Sequence, residues 1–415
     1  MSRPPERPPL MPLDEALASL LAKAAPRLDA ESVSTFEADG RVLAQDVVSG
    51  LTVPPRDNSS MDGYAVRAAD CATVGAVLTV AQRIPAGSVG TPLAAGTAAR
   101  IFTGAQIPKG ADAVVMQEDT AALPEEGSLG RVRIDTVPAA GQWIRRAGED
   151  VAAGDVVLAR GERLTPASLG LAASVGFDRL QVARRPRVVL LSTGDELVMP
   201  GEVAPEAMKP GAIYNSNRFF MRALLTRLGC DVSDLGIVPD RRDATIDALR
   251  TAAEHNDLIV TTGGVSVGEE DHIKAAVEAL GELQLWSLSM KPGKPFAYGR
   301  IGHAHVTGLP GNPVSSFLTF LLLVRPFLLT LQGATRVAPE PVAMRADFDW
   351  PRADRRREFL RARRNTAGGL DLFPNQSSGV LTSAVWGDGV IDTPASQSFR
   401  KGDTVQFISF ASLLA

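Results

Sequence analysis

Three acidic side chains follow short apolar runs that are typical of buried strands. Glu196, Asp240 and Asp271 each come shortly after such a run, and continuous apolar runs of this length favour strands buried in a parallel sheet. The carboxyl ends of parallel strands share one edge of the sheet, where open α/β sheets bind ligands. One such acid would mean little, but three at one edge could form a site for a metal ion or a reacting group.

The third of these acids ends a stretch with the pattern of a strand, a glycine turn and a helix start. Gly263 and Gly264 let the backbone turn sharply and approach a ligand without Cβ atoms in the way. A helix is expected to begin near Glu269, and acids in a first helical turn also suit the positive end of the helix dipole. From this pattern alone, a ligand-binding carboxylate cluster and simple dipole compensation both stay open.

Two proline–glycine loops, KPGKP at 291–295 and LPGNP at 309–313, could supply positive charge to the same edge. In the second loop Asn312 is a good N-cap and the proline after it fits the first helical position. The N-terminus of that helix would be a natural anion site. Lys291 and Lys294 would add charge nearby, although both could instead belong to a solvated turn. The chain has no GxxxxGK[ST] motif, which excludes a P-loop nucleoside triphosphatase.

Composition excludes several classes of protein. The chain has 415 residues, which suggests two to four domains, and 45% of them are hydrophobic. A net charge of −4 argues against a general nucleic-acid or membrane-surface binder. Two cysteines provide neither a disulfide framework nor a cysteine-based zinc site. The first ten residues lack the apolar core of a signal peptide. The apolar segment 317–331, interrupted by Arg325 and Pro326, is expected to be too short to span a bilayer. We therefore expect a cytoplasmic protein.

Periodicity indicates how the chain is organised. An amphipathic helix is predicted at 14–24 and a strand at 41–48. From 78 to 137, short β-branched runs alternate with glycine and proline, which predicts an inserted all-β module. Strands alternate with helices from 187 to 301, which predicts βαβ units and a parallel sheet. Residues 336–415 show strands and turns without a helical period, and therefore predict a second β module.

Arginines cluster in this last module. They are Arg352, Arg355, Arg356, Arg357, Arg361, Arg363 and Arg364. Such a cluster is usually a solvated strand face. It could also contact a phosphate or a pterin-sized anion.

Six motifs in order resemble one family. The segments NSSMDGYAV, RRAGED, STGDEL, TTGGVSVGEEDH, KPGKPFAYG and GLPGNPVSS look like those of the MoeA family of molybdopterin molybdenumtransferases, which is similar also to the E domain of gephyrin. The resemblance covers about residues 12–410. Several long motifs in register are a specific signal, unlike any single glycine loop.

The resemblance implies a multidomain α/β fold with four parts. These are a discontinuous framework (1–51 and 147–181), an inserted β module (52–146), a three-layer α/β domain with a parallel-rich sheet like that of molybdopterin adenylyltransferase (182–331) and a C-terminal β-barrel (332–415). It also implies a homodimer whose cleft combines the inserted module of one subunit with the α/β domain of the other. The implied reaction inserts molybdate into the dithiolene of adenylylated molybdopterin, with Mg²⁺, and releases AMP.

Residue roles follow position by position from the resemblance. The implied catalytic residues are Asp62, Asp150, Glu196, Asp240 and Asp271, of which Glu196, Asp240 and Asp271 would also bind Mg²⁺. The implied substrate-binding residues are Thr103, Thr193, Gly263, Gly264, Ser266, Lys291, Lys294, Pro310 and Asn312. Asp240 lies in the least distinctive context, and Asp243 competes for its position. Ser60 stands where the family usually has a small apolar residue, which is a mild departure.

Three functions are weighed. Molybdenum insertion is favoured, and the other two are adenylylation of molybdopterin and a gephyrin-like scaffold that retains the fold. The modules flanking the α/β domain favour insertion over adenylylation. A scaffold is disfavoured because the chain shows no long linker and no second family-like domain. Expected partners are a second copy of the chain, and molybdopterin adenylyltransferase and downstream cofactor-maturation proteins could also bind. Neither nucleic acid nor a membrane is an expected partner.

Overall fold

A six-stranded mixed sheet forms the middle of the α/β part of the chain in this computed structural model, which describes residues 10–25, 27–239, 241–263 and 272–414. Four neighbouring strands are parallel, and two antiparallel strands complete one edge. In spatial order the strands are Asp231–Val238, Arg187–Thr193, Leu258–Thr262, Ala304–Leu309, Pro295–Ile301 and Glu282–Ser287. The predicted parallel-rich sheet is confirmed.

Alternation along the strands creates the three layers. Val188 and Leu190 belong to one hydrophobic core, whereas Val189 and Leu191 belong to another. Successive side chains of a strand point to opposite faces, so a run that is apolar throughout must be covered on both sides. The covering helices are Ser216–Arg227, Arg242–His255, His272–Leu280 and the long helix Pro313–Leu331.

The helix predicted to start at Pro313 runs to Leu331. It consists of an α-helical part, Pro313–Thr319, a π-helical turn, Phe320–Val324, and a second α-helical part, Arg325–Leu331. Arg325 and Pro326 interrupt the apolar run but not the helix, because the π-helical turn adjusts the backbone just ahead of the residue that lacks an N–H group. The expectation that this segment is too short to span a bilayer is wrong by length alone, since the helix has 19 residues. Its length and composition would suffice to cross a membrane, but 89% of its most apolar window is buried inside the protein. It is therefore a core helix of this fold.

A buried tyrosine–histidine pair lies under this helix. The Tyr298 hydroxyl and His305 Nδ1 are 2.8 Å apart, and His305 packs edge-on against Phe327. Burial, reinforced by nearby Arg300, lowers the pKa of His305 from 6.5 to about 4. The imidazole is only 3% exposed and is therefore neutral in the folded protein at neutral pH.

We expect the domain that holds His305 to lose stability as the pH falls from 6.5 towards 4. In that window the unfolded chain binds a proton on this histidine and the folded chain does not, which favours unfolding. The loss attributable to His305 should approach about 3 kcal/mol at the low end of the window. Denaturant unfolding across this pH range checks it, with His305→Gln as the non-titrating variant. Equal pH slopes in the two proteins would contradict the expectation.

The framework is built from two separated stretches of chain. Ala30–Ser34 pairs with Arg179–Ala183, and Val47–Val48 pairs with Val156–Leu158. The helix Pro166–Ser174 packs on the same core. The continuous strand predicted at 41–48 is wrong, because its first residues form single bridges to two different partner segments and no ladder develops. The N-terminal helix Leu13–Leu21 packs instead in the core of the α/β domain.

The inserted module is a six-stranded sheet. In spatial order its strands are Ala113–Met116, Gly63–Val66, Thr97–Ile101, Ala76–Ile84, Arg131–Ile134 and Thr120–Leu123. A short ribbon of Asn58–Ser59 and Ile144–Arg145 joins the entry and exit of the module. The predicted all-β character is confirmed.

The C-terminal region is a closed five-stranded β-barrel. Its strands are Arg357–Arg364, Gly369–Leu372, Val342–Ala346, Thr404–Ser409 and Gly389–Thr393, and the last pairs again with the first. The two-residue strand Met290–Lys291 of the α/β domain joins the barrel edge. The sequence showed no helical period here, yet single-turn helices occur at Thr382–Trp386 and Phe410–Leu414. These helices are too short to produce a helical period in the sequence.

Candidate active site

A cavity of about 990 Å³ lies between the carboxyl edge of the α/β sheet and the C-terminal barrel. Every site residue predicted on the α/β side that the structure describes lines this cavity. These residues are Thr193, Glu196, Gly263, Lys291, Lys294, Pro310 and Asn312. They come from four separate loops. Three of the loops follow parallel strands, whose carboxyl ends share one edge, as the sequence predicted for strand ends. The KPGKP loop reaches that edge because the strand after it runs antiparallel.

Two glycines let the strand-end loops meet. Gly194 has φ +142°, and a Cβ there would lie 2.6 Å from a carboxylate oxygen of Glu196. The Glu196 carboxylate can therefore fold back over Gly194, because residue 194 has no side chain. Gly263 has φ +88°, and a Cβ there would lie 3.0 Å from the carbonyl oxygen of Thr193. Both turns use backbone that L side chains rarely adopt.

The KPGKP loop carries two lysines in different environments. Gly293 has φ +112° and lies so close to the long helix that a Cβ would be 2.6 Å from Thr319 Oγ1. The Lys291 ammonium lies 2.9 Å from Glu358 and 3.4 Å from Asp354. Lys294 is exposed, and no described carboxylate lies within 4 Å of its ammonium. Both lysines line the cavity, but only Lys291 has a described carboxylate partner.

The N-terminus of the long helix is held by its neighbours. Asn312 occupies the predicted N-cap position and Pro313 the first turn, but the Asn312 side chain makes no capping hydrogen bond. The backbone N–H of Val314 instead donates to the carbonyl oxygen of Ser378, at 2.9 Å. Asn217 Nδ2 donates to the carbonyl oxygen of Gly311, at 2.7 Å. One of the helix N–H groups expected to meet a ligand is therefore taken by the barrel.

The barrel supplies a wall of the cavity that the sequence reasoning missed. The wall consists of Arg356, Gln376, Ser377, Ser378 and Gly379. The arginine cluster was the available signal, but it did not identify which arginine reaches the site.

Within that cluster the arginines have different surroundings. The hydrogen bond from the Arg356 guanidinium holds the pKa of Asp354 down to about 2. Arg361 is buried and donates to Ser383. Arg357 is paired with Asp392. The interpretation of a solvated strand face is therefore wrong for Arg361 and Arg357, since the barrel fold turns both towards partners.

The inserted module brings Asp62 and Thr103 together, away from this cavity. The Asp62 carboxylate accepts hydrogen bonds from the backbone N–H and the hydroxyl of Thr103, both at 2.8 Å, which lower the pKa of Asp62. Asp57, which sequence reasoning missed, accepts from Arg146 at 2.7 Å and ties the first motif to the RRAGED motif. Asp150 is exposed. Asp62, Thr103 and Asp150 do not line the cavity of their own chain.

Comparison with known families decides the relationship. The model of the MoeA N-terminal region (domain I and II) matches residues 11–176. That of a probable molybdopterin binding domain matches 189–330, and that of the MoeA C-terminal region (domain IV) matches 343–410. The chain belongs to the MoeA family.

Named relatives of this MoeA-family chain agree. It is 43% identical over 325 residues to a molybdopterin molybdenumtransferase of Haemophilus influenzae, with 78% of each chain covered. It is 37% identical over 393 residues to molybdopterin molybdenumtransferase 2 of Mycobacterium tuberculosis, covering 88% of this chain and 90% of the relative. A solved structure of a molybdopterin biosynthesis MoeA protein from Pyrococcus horikoshii OT3 covers 97% of this chain and 100% of that one, with a TM-score of 0.82 and 31% identity.

Four residues predicted for the MoeA-family site lie outside the described part of the chain. They are Asp240, Gly264, Ser266 and Asp271. The competing Asp243 is exposed in the first turn of the helix Arg242–His255, and which of the two fills the family position stays open.

A magnesium site is tested by the donors that the described residues offer. Within the described ranges, no group of three or more His, Cys, Asp or Glu could hold a metal ion. Glu196 is a carboxylate in the cavity wall. Mg²⁺ is commonly bound through one or two carboxylates together with substrate phosphates and water. The donors present therefore fit a magnesium ion that arrives with a phosphorylated ligand.

Proposed function

We propose that this chain inserts molybdate into adenylylated molybdopterin and releases AMP, as a transferase of molybdenum cofactor biosynthesis. The family supports this proposal, since its relatives are named molybdopterin molybdenumtransferases. The observation that carries it is the cavity of about 990 Å³, which is large enough for a nucleotide-sized anion. Among the residues that the structure describes, its wall combines cationic side chains with one carboxylate, as expected for a site that binds anions through both direct contacts and a divalent cation.

The residues of the chain act mainly by binding and orientation. Lys294 and Arg356 line the cavity as cations and would hold anionic oxygens of molybdate or the phosphoanhydride. Thr193 and Gly263 line the cavity at the strand ends and would bring backbone close to the ligand. Glu196 would hold Mg²⁺, with Asp240 and Asp271 as further proposed ligands. The bound ion would supply positive charge against the negative charge that develops as the phosphoanhydride is cleaved. The dithiolene sulfurs belong to the substrate, consistent with a chain whose two cysteines are both buried.

The adenylyltransferase alternative is not favoured. It would need only the central α/β domain, whereas the chain also matches the MoeA N-terminal and C-terminal regions. Two parallel reactions test the choice. One supplies molybdopterin and ATP and measures pyrophosphate, and the other supplies adenylylated molybdopterin with molybdate and measures AMP. We expect product only in the second. Pyrophosphate in the first reaction alone would favour adenylylation, and no product in either from a folded protein would favour a scaffold.

We further propose a cytoplasmic homodimer that shares its sites between subunits. The support is that Asp62, Thr103 and Asp150 form no part of the cavity of their own chain, although the family resemblance assigns them to the site. A partner's inserted module could bring them there. Within the described ranges, a single helix is apolar enough to cross a membrane, and it is buried in the core, which agrees with the proposed compartment.

Subunit exchange between Asp62→Asn and Glu196→Gln proteins should recover activity. In a shared-site heterodimer, one of the two sites carries both substitutions and the other carries neither. Random exchange makes about half of the dimers mixed, so about a quarter of all sites should regain wild-type turnover. AMP release before and after exchange, with each variant mixed with itself as the control, measures this. No recovery after exchange verified by mass spectrometry would mean that each site is built within one chain.

A further inference from the structure

A buried carboxylate stands directly behind Lys291. Glu358 is 2% exposed and lies on the barrel strand Arg357–Arg364. One of its carboxylate oxygens is 2.9 Å from the Lys291 ammonium, and the other accepts a hydrogen bond from Trp350 Nε1 at 3.0 Å. A buried carboxylate is costly unless it is paired and hydrogen-bonded. Here both oxygens have partners, and one partner is a side chain of the cavity wall.

Backbone pairing between two strands also holds Lys291 and Glu358 next to each other. Met290–Lys291 runs parallel to the barrel strand, and Lys291 is the register partner of Glu358. Neither residue can move along the strand without breaking the ladder. Lys294, three residues further on, has no such described partner. The two lysines of one loop therefore differ, since the ammonium of Lys291 is held from behind and that of Lys294 is not.

Asp354 connects the held lysine to the arginine of the same wall. It lies 3.4 Å from the Lys291 ammonium and accepts from Arg356 Nε at 3.2 Å. Lys291 and Arg356 both line the cavity. Two cations side by side would repel each other, and a carboxylate between them offsets that repulsion. The barrel thus supplies the acids that fix both cations.

We propose that Glu358 is a positioning residue, through which the C-terminal barrel aims the Lys291 ammonium at an oxyanion of the substrate. The inference rests on the proposed function for its substrate but not for its geometry. A donor fixed in advance needs no reorganisation when charge develops in the transition state, so loss of the fixing group lowers turnover. It also removes a negative charge from behind the cavity, so ground-state binding of an anion should not weaken. A falling kcat with an unchanged or lower KM is therefore the expected signature of Glu358→Gln.

The geometry can be tested without any substrate. Acylation of exposed amines, followed by peptide mass spectrometry, compares Lys291 with Lys294 in the same protein. Glu358→Gln should raise the acylation rate of Lys291 by about tenfold, because it removes a charge-assisted contact whose typical free energy corresponds to that factor. The acylation rate of Lys294 should not change. Trp350→Phe removes only the second hydrogen bond, keeps both charges, and should raise the rate by about threefold. Trp350→Phe also provides the test of the pair if the Glu358→Gln protein fails to fold.

Asp392→Asn is the matched control. Asp392 is also buried, at 9% exposed, and is paired with Arg357, which does not line the cavity. This variant should lose stability without changing Lys291 acylation or the kinetic constants per folded molecule. A purely structural role for Glu358 would make the two variants behave alike.

Kinetics and a double variant complete the test. Glu358→Gln should lower kcat by about tenfold or more, and adding it to Lys291→Met should cause no further loss, because the effect passes through Lys291. Unchanged acylation of Lys291 in both Glu358→Gln and Trp350→Phe would overturn the inference whether or not the protein is active. Raised acylation with unchanged kcat would overturn it too. Wild-type protein without AMP release would instead overturn the proposed function, and the acylation result would still decide the positioning.

Discussion

Glu196→Gln should lower molybdate-dependent turnover by about a hundredfold or more while leaving the fold intact. The side chain is exposed at a strand end and folds back over Gly194 towards the cavity. It contributes to no hydrophobic core of the described chain, so an isosteric amide should cost little stability. What is lost is the negative charge that would bind a divalent cation and orient the ligand.

The neighbouring Asp195 is the matched control for this prediction. It is exposed in the same turn but does not line the cavity. Steady-state AMP release and thermal unfolding of Glu196→Gln and Asp195→Asn should separate the two residues, with turnover lost only in the first and unfolding unchanged in both. Full turnover in Glu196→Gln, or an equal loss in Asp195→Asn, would remove Glu196 from the site.

Lys294→Ala should weaken binding of adenylylated molybdopterin by roughly ten- to a hundredfold. The ammonium lines the cavity, and among the described residues no carboxylate neutralises it within 4 Å. A charge-assisted contact is worth about 1.5–3 kcal/mol, which gives this range. Lys294→Gln should behave nearly the same way, because charge matters more than length. Added salt should narrow the gap to wild type, since part of the lost attraction is screened.

Calorimetric titration at two salt concentrations measures these affinities. Lys209→Ala is the control for general charge, because Lys209 is exposed and does not line the cavity. Its affinity should stay close to that of wild type. Equal affinities for wild type and both Lys294 variants at each salt concentration would mean that Lys294 is a solvated turn residue.

The part of the site built from strand ends could be predicted from the sequence. Glu196 and Gly263 reach one cavity, because parallel strands place their carboxyl ends at a common edge whatever the loops contain. Lys294 joins them because it precedes the strand Pro295–Ile301, which runs antiparallel to Ala304–Leu309 and therefore starts at that same edge. Short apolar runs and glycine turns are local signals, and they were sufficient here.

The part built between domains could not be predicted. Arg356 and Ser378 come from the barrel, and no local pattern states which barrel residues face the sheet. Lys291 was expected to hold a ligand anion, and the structure shows its ammonium paired with Glu358, 67 positions further along the chain. The strand predicted at 41–48 failed because tertiary pairing overrides local propensity. The helix Pro313–Leu331 continues past Pro326 because a π-helical turn precedes that residue, so the apolar segment was judged too short.

AMP release from adenylylated molybdopterin by the wild-type protein, with molybdenum incorporation followed in the same samples, is the decisive measurement for the proposed reaction. AMP should appear only when molybdate is added, and one molybdenum should be incorporated for each AMP released. AMP release at the same rate without molybdate, or molybdate-dependent release with no molybdenum in the product, would contradict it.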